Sequence, residues 1–211
     1  MKNATKRFLT VLAAVSLCCL LGTALAEDNV YVGENENGIG GVIRVEVTMD
    51  GDTIQSIKTV EQHETRGLGT TAILRLTEDI IAANSTEVDN VSGATLSSIA
   101  FRSAVQRAVE DALDVDPTAG VELGENEHLG VSEAGLGGRI MVKVTVVDGA
   151  ITAIDVLESH ESPEIGDVAI EKLIAKMIEG NTASVDTVGG ATITSRALCE
   201  AVSQAMDTTQ N

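Results

Sequence analysis

The chain has 211 residues, a formal net charge of −18 at neutral pH and only three aromatic side chains. An acidic chain with few stacking aromatics is poorly suited to a phosphate backbone, so the composition argues against nucleic-acid binding. The hydrophobic fraction of 44% is high for a disordered chain. We therefore expect one or two folded domains with cores of Val, Ile, Leu and Ala.

Residues 1–26 are predicted to be a secretory signal peptide. Basic residues precede an apolar run from Phe8 to Gly22, and Ala24-Leu25-Ala26 follows as a small-residue cleavage site. The run is shorter than the roughly 20 residues that a membrane span needs. We expect an exported protein that is secreted or associated with the outer face of the cytoplasmic membrane. An uncleaved N-terminal anchor is the alternative.

The rest of the chain is a tandem repeat of one unit. Residues 41–110 align without a gap with residues 138–207, and about 27 of the 70 aligned pairs are identical. This repeat is far longer than a solenoid unit, so two domain-sized copies are expected. The predicted organisation is a first domain at 31–114, a linker at 115–121 and a second domain at 122–207.

A second, shorter similarity lies upstream of the aligned region. Gly33–Glu36 has the same letters as Gly124–Glu127, at an offset six residues smaller than that of the main repeat. This similarity predicts about six extra residues in the second copy. We interpret both acidic runs as solvated surface.

Taken in chain order, the elements of each copy predict an α+β domain with a β-hairpin or antiparallel sheet and two helices. Alternating apolar residues predict strands at Ile43–Met49 and Thr53–Val60, joined by a turn at Asp50–Asp52. Helical spacing predicts helices at Thr70–Ala83 and Ser98–Leu113. In the second copy the predicted elements are strands at Ile140–Val146 and Ile151–Leu157 and helices at Asp167–Glu179 and Ser195–Met206.

A segment of small residues precedes the second helix of each copy. It runs DNVSGATLSS from Asp89 and DTVGGATITS from Asp186. Gly93 permits a tight turn, and the hydroxyls and free N–H groups after it form an anion site suited to a phosphate. The alternative is an ordinary helix N-cap that follows a turn.

This segment resembles the flavinylation motif of the FMN-binding domain found in the RnfG and NqrC subunits of ion-pumping electron-transport complexes and in extracellular electron-transfer flavoproteins. That family has a second hallmark, which resembles Glu-Thr-Pro-Gly-Leu-Gly. It stands here as Glu64-Thr65-Arg66-Gly67-Leu68-Gly69 and as Glu161-Ser162-Pro163-Glu164-Ile165-Gly166. Both hallmarks occur in order in both copies, with Gly189 and Glu164 as departures in the second.

The resemblance implies that FMN is joined by a phosphoester to Thr95 and Thr192, up to two per chain. A separate flavin transferase of the ApbE type would install it from FAD. The isoalloxazine would lie toward the second hallmark, with Leu68 and Ile165 packed on its face. The predicted cofactor contacts in the first copy are Glu64, Thr65, Leu68, Ser92, Gly93, Ala94, Thr95, Ser97 and Ser98. Those in the second copy are Glu161, Ser162, Ile165, Gly190, Ala191, Thr192, Thr194 and Ser195.

The remaining conspicuous side chains give no catalytic or metal site. His128 is the only histidine besides His63 and His160, and Cys199 is the single cysteine beyond the signal peptide. These are too few for the usual metal shells. No nucleophile–His–acid arrangement can be placed, which argues against hydrolase chemistry.

The sequence therefore predicts an exported electron-transfer flavoprotein with two covalent FMN groups. It would relay electrons from a membrane donor to an extracytoplasmic acceptor, and it is more of an electron carrier than a catalyst. Two alternatives stay open. One is a cell-surface binding module that kept the fold without the flavin, and the other is the flavin-carrying subunit of an extracytoplasmic reductase.

Overall fold

Each half of the chain folds as a three-stranded antiparallel sheet with two helices packed on one face. The computed structural model describes residues 29–208, so the predicted signal peptide lies outside the described residues. The first domain contains β1 (Val30–Gly38), β2 (Gly41–Asp50), β3 (Thr53–Glu61), α1 (Gly69–Ala83) and α2 (Thr95–Ala112). The second domain contains β4 (Glu127–Gly135), β5 (Gly138–Val147), β6 (Ala150–Ser159), α3 (Gly166–Gly180) and α4 (Thr192–Asp207). The predicted α+β class and its duplication are confirmed.

The predicted hairpins and helices are all present, because their apolar periodicity is strong. In β2 the alternate residues Ile43, Val45, Val47 and Met49 are buried. In β5 the alternation buries Ile140, Val142 and Val144. The β5–β6 turn places Asp148 and Gly149 at positive φ, the conformation of the tight turns that join hairpins. The linker predicted at 115–121 falls in the connection between α2 and β4.

Each domain also has a first strand that the sequence analysis missed. β1 and β4 pair antiparallel with β2 and β5, with Gly38 opposite Gly41 and Gly135 opposite Gly138. The strands therefore match at the same offset as the rest of the repeat. The six-residue insertion predicted from the Gly33–Glu36 similarity is wrong, because Gly130 and not Gly124 occupies the position of Gly33.

A close approach between strand and helix makes Gly33 and Gly130 equivalent. A Cβ on Gly33 would lie 1.8 Å from the Ala104 carbonyl oxygen of α2, and a Cβ on Gly130 would lie 1.9 Å from the Ala201 oxygen of α4. Only a residue without a side chain lets the helix backbone pack directly on the strand. This contact seats α2 and α4, whose first turns carry the Gly-Ala-Thr segments.

The two faces of each sheet differ in chemistry. The inner face and the helices enclose one apolar core per domain, and in the first domain Phe101 is its largest fully buried side chain. The outer face of the first sheet carries ion pairs of Arg44 with Glu34 and Glu61. A sheet with one buried and one solvated face explains the clean alternation of β2.

The domains contact each other head to tail. The β4–β5 turn of the second domain lies on β1 and α2 of the first, where the Asn35 amide donates to the Leu136 carbonyl oxygen at 3.2 Å. Arg139 pairs with Glu110 at 2.7 Å beside it. Burial alone would raise the pKa of Glu110, but hydrogen bonds from Arg139 and Gln106 outweigh it and lower that pKa. This ion pair therefore stabilises the fold at neutral pH, and its contribution is lost as the pH falls through the lowered pKa.

We expect Gly33→Ala to destabilise the first domain by about 3 kcal/mol or more, because the new methyl group meets the backbone of α2 and cannot be relieved by a rotamer change. Chemical denaturation of the purified chain measures the loss. Gly189→Ala is the matched control, since a Cβ there meets nothing within 4 Å and the glycine is not at positive φ. Equal stability of the two variants would contradict the close approach.

Candidate functional site

Thr95 and Thr192 are the first residues of α2 and α4. The chain turns through Gly93 (φ +81°) and Gly190 (φ +86°) just before them. The N-cap positions belong to Ala94 and Ala191, and no side chain caps either helix. The alternative interpretation of these threonines as ordinary N-caps is therefore not supported by the local geometry.

The two threonine side chains are exposed, and neither hydroxyl has a hydrogen-bond partner among residues 29–208. In the same part of the chain, the backbone N–H groups of Thr95, Leu96 and Ser97 donate to no internal partner, and the first internal bond of α2 is from the Ser98 N–H to the Ala94 oxygen. α4 begins in the same way at Ser195. Free N–H groups at a helix start are a site for an anionic oxygen.

The neighbouring hydroxyls, by contrast, are engaged inside the protein. Ser98 donates to the Ala94 oxygen at 2.8 Å and accepts from the Val91 N–H at 3.1 Å. Ser195 makes the equivalent bonds in the second domain. Both serines are fully buried, so in this conformation they order the turn. Their predicted contact with a phosphate stays a prediction and would require these bonds to be exchanged.

A buried carboxylate fixes the start of α2. Glu64 accepts a hydrogen bond from the Ser97 hydroxyl and a second, at 3.0 Å, from the Gly40 N–H. Gly69 closes over it, since a Cβ at that position would lie 2.9 Å from the carboxylate. One side chain thus joins the β1–β2 turn, the loop after β3 and the first turn of α2.

The second domain repeats this arrangement. Glu161 accepts from the Thr194 hydroxyl and, at 3.1 Å, from the Gly137 N–H. Glu161 and Thr194 are buried, and Gly166 lies against them as Gly69 does in the first domain. The predicted site residues therefore meet in pairs. Glu64 contacts Ser97 in the first domain, Glu161 contacts Thr194 in the second, and each pair supports the start of a helix.

The two hallmark segments are neighbours. A Cβ on Gly93 would lie 3.7 Å from Leu68 Cδ1, so the loop between β3 and α1 borders the Gly-Ala-Thr turn. Leu68 is exposed, as is its counterpart Ile165. Exposed aliphatic side chains beside an unpartnered hydroxyl are suited to the face of a planar apolar ring.

Two further apolar residues were missed by the sequence analysis. Leu96 and Ile193 directly follow the two threonines, and both are exposed. The sequence contains a signal for them, because each is a large apolar residue that directly follows Gly-Ala-Thr and precedes two small hydroxyl residues. In each domain, the threonine therefore has exposed aliphatic side chains in both hallmark segments.

The remaining predicted residues shape the loop and the turn. The Thr65 carbonyl accepts from the Leu68 and Thr70 N–H groups, while its side chain is exposed. The Ser162 hydroxyl accepts from the Gly166 N–H at 3.1 Å. Ser92 is exposed beside Gly93. Loss of solvation and then repulsion by Glu171 raise the pKa of Asp167, at the start of α3.

The described residues form neither a cluster suited to a metal ion nor a helix suited to crossing a membrane. Within residues 29–208, no three His, Cys, Asp or Glu side chains are grouped so as to hold a metal ion. None of the helices in that range combines the length and the apolar character that a membrane crossing requires.

Comparison with known proteins identifies the repeat. The FMN-binding domain family matches residues 38–110 and again residues 135–207. A urocanate reductase of Eggerthella lenta is 43% identical over 74 residues, which cover 35% of this chain and 12% of the relative. An NADH:acrylate oxidoreductase of Vibrio harveyi is 36% identical over 73 residues, which cover 35% of this chain and 7% of the relative.

The chain thus spans only a small part of the length of these relatives, and the likeness concerns one domain. The two family matches begin at the last residue of β1 and of β4, run into the second helix of each domain and contain both threonine turns in full. The exposed aliphatic side chains beside each threonine suit the flavin ring, and the free N–H groups and the exposed hydroxyl at the helix start suit its phosphate. The chain belongs to the FMN-binding domain family and carries two tandem copies of that domain.

Proposed function

We propose that this chain is an exported electron-transfer flavoprotein that carries FMN in phosphoester linkage to Thr95 and Thr192. FMN supplies the redox chemistry when bound, and the protein positions it. The observation that carries the proposal is the pair of exposed threonine hydroxyls without internal partners, each at a helix start with three free N–H groups.

The attachment requires a flavin transferase of the ApbE type, with FAD as the donor. The Thr95 oxygen attacks the phosphorus on the flavin side of the FAD pyrophosphate. The P–O–P bond breaks, AMP leaves and the hydroxyl proton is released, so no electron is transferred in this step. An exposed turn suits entry into a second enzyme's active site, and Thr192 is exposed as well.

The surface charge bears on the redox partners. With a formal charge of −18, the chain would be attracted to basic docking surfaces. We propose a membrane electron donor and an extracytoplasmic acceptor, consistent with the predicted signal peptide at residues 1–26. Covalent attachment suits this location because a dissociated FMN would be lost outside the cell.

A second candidate function is the flavin-carrying subunit of an extracytoplasmic reductase. The names of the two relatives, a urocanate reductase and an NADH:acrylate oxidoreductase, support it. The shared region is a single domain that makes up a small part of each relative. The proposal is therefore that this chain delivers electrons to a separate catalytic subunit, while the substrate chemistry belongs to that partner.

Co-expression with an ApbE-type transferase tests the covalent site. We expect the intact chain to gain the mass of FMN minus one water at two positions, Thr95→Ala and Thr192→Ala each to lose one gain, and the double variant to lose both. Intact-mass spectrometry and peptide mapping measure this.

Thr53→Ala serves as the control for this experiment. It removes another exposed threonine hydroxyl, outside the Gly-Ala-Thr turn, and installs the residue that the second domain carries at Ala150. It should keep both flavins. An unmodified wild-type chain after co-expression would overturn the proposal and favour a binding module that kept the fold without the flavin.

Glu64→Ala should destabilise the first domain by about 2 kcal/mol, because it leaves the buried Ser97 hydroxyl without its acceptor. We also expect slower flavinylation of Thr95, since the first turn of α2 loses its tie. Glu64→Gln should lose less, because an amide can accept from Gly40 and donate to the Ser97 oxygen. Denaturation and the rate of mass gain provide the two measurements.

A double-mutant cycle with Ser97→Ala separates this bond from other effects. The combined variant should lose about as much stability as Glu64→Ala alone, and much less than the sum of the two single losses. Additive losses would show that the two side chains do not interact as described.

The flavin on Thr192 should fluoresce brightly, because aromatic quenchers are absent around it. Phe101 is buried in the core of the first domain, Tyr31 packs against that same core, and the described part of the second domain contains no aromatic residue. Emission of the Thr95→Ala chain, which holds a single flavin, measures this. Ile193→Trp in that background should quench it; emission already quenched without the Trp would contradict the picture.

A further inference from the structure

We propose that the first domain completes the flavin site of the second, with Asn35 as a positioning residue for Thr192. The inference rests on the proposed function for its flavin part. Its structural part concerns the chain's own residues and holds whether or not flavin is attached.

The first step is a continuous hydrogen-bonded chain across the domain contact. The Asn35 amide donates to the Leu136 carbonyl oxygen at 3.2 Å. That carbonyl belongs to the same peptide unit as the Gly137 N–H, which donates to Glu161 at 3.1 Å. The other oxygen of Glu161 accepts from Thr194, two residues after Thr192.

Such a chain is cooperative, because a donor on the carbonyl oxygen of a peptide makes the N–H of that peptide a stronger donor. Asn35 itself is held in place. It is almost fully buried, its Nδ2 also donates to Ser103 at 3.0 Å, and its Oδ1 accepts from the Asn37 N–H at 2.8 Å. The Asn37 amide adds a bond to the Gly135 oxygen at 2.9 Å.

Within the described residues, the first domain lacks the equivalent support. There the equivalent peptide joins Ile39 to Gly40, and its N–H donates to Glu64 in the same way. Among residues 29–208 no side chain donates to the Ile39 oxygen. Ile39 is 56% exposed, whereas Leu136 is only 7% exposed. The support from a neighbouring domain is therefore one-sided.

The last step is the contact with the loop that carries Glu161. A Cβ on Gly137 would lie 2.0 Å from the His160 carbonyl oxygen, so the turn rests directly on this loop. A small cavity between the domains is lined by Gly137 and His160 and, from α2, by Ser103 and Gln106. The turn of the second flavin site therefore contacts the first domain, and His160 of the loop borders the cavity between the two.

The test uses the full chain with Asn35→Ser and Asn37→Ala combined. Ser132 and Ala134 occupy these positions in the second domain, so the fold accepts both residues. Arg44→Met is the matched control: it also installs the residue of the second domain, Met141, but on the outer face of the first sheet. Asn35→Ser alone serves if the double variant is unstable.

Amide hydrogen exchange of the flavin-free chain gives the first measurement. In the wild type, Gly137 should exchange more slowly than Gly40. The double variant removes the hydrogen bonds to the Leu136 and Gly135 oxygens, so it should speed exchange at Gly137 and across 160–166 about fivefold or more and leave Gly40 unchanged. Unchanged exchange at Gly137, or the same acceleration in Arg44→Met, would overturn the proposal.

The rate of flavinylation gives the second measurement. Attachment to Thr192 should slow about fivefold in the double variant, while attachment to Thr95 keeps its rate. Equal slowing at both threonines would overturn the positioning role. If the wild type takes up no flavin, the proposed function fails, and hydrogen exchange still decides whether Asn35 supports the second site.

Discussion

A buried carboxylate in each domain is the contact on which the site depends. Glu64 joins three segments that are far apart in sequence, and a charged group in the interior is tolerated only when donors surround it. This requirement explains two glycines that have no core role. Gly40 must let its N–H reach the carboxylate while its Cα rests on the His63 carbonyl, and Gly69 must leave room above it. The first turn of α2 is thereby fixed before any cofactor is present.

Helical geometry then divides the labour within the Gly-Ala-Thr segment. Successive residues of a helix point about 100° apart, so a pair that faces the core is preceded by a pair that faces solvent. Ser97 and Ser98 point inward and hold the frame, whereas Thr95 and Leu96 are exposed. The hydroxyls that looked alike in the sequence therefore have opposite roles, and within the first turn of α2 only that of Thr95 remains free for a phosphoester.

How much could be predicted from the sequence follows from the strength of the local signals. The hairpins and helices show strong apolar periodicity, and both hallmarks occur in the same order in the two copies of the repeat. β1 was missed because Gly33 to Gly38 is rich in Gly, Asn and Glu, which are poor strand formers. It forms a strand because it pairs with β2 and because α2 packs on Gly33. Both causes are tertiary, so no local window of the sequence contains them.

The two copies differ at the residues that make the head-to-tail contact. In the first domain Val42 stands where the second has Arg139, so its turn lacks the cation that binds Glu110. In the second domain Ser132 donates to Glu200, and Gln204 accepts from the Val131 N–H, so the face equivalent to the docking surface satisfies its own polar groups. The two copies have thus diverged on both sides of this contact, while the threonine turns stayed alike.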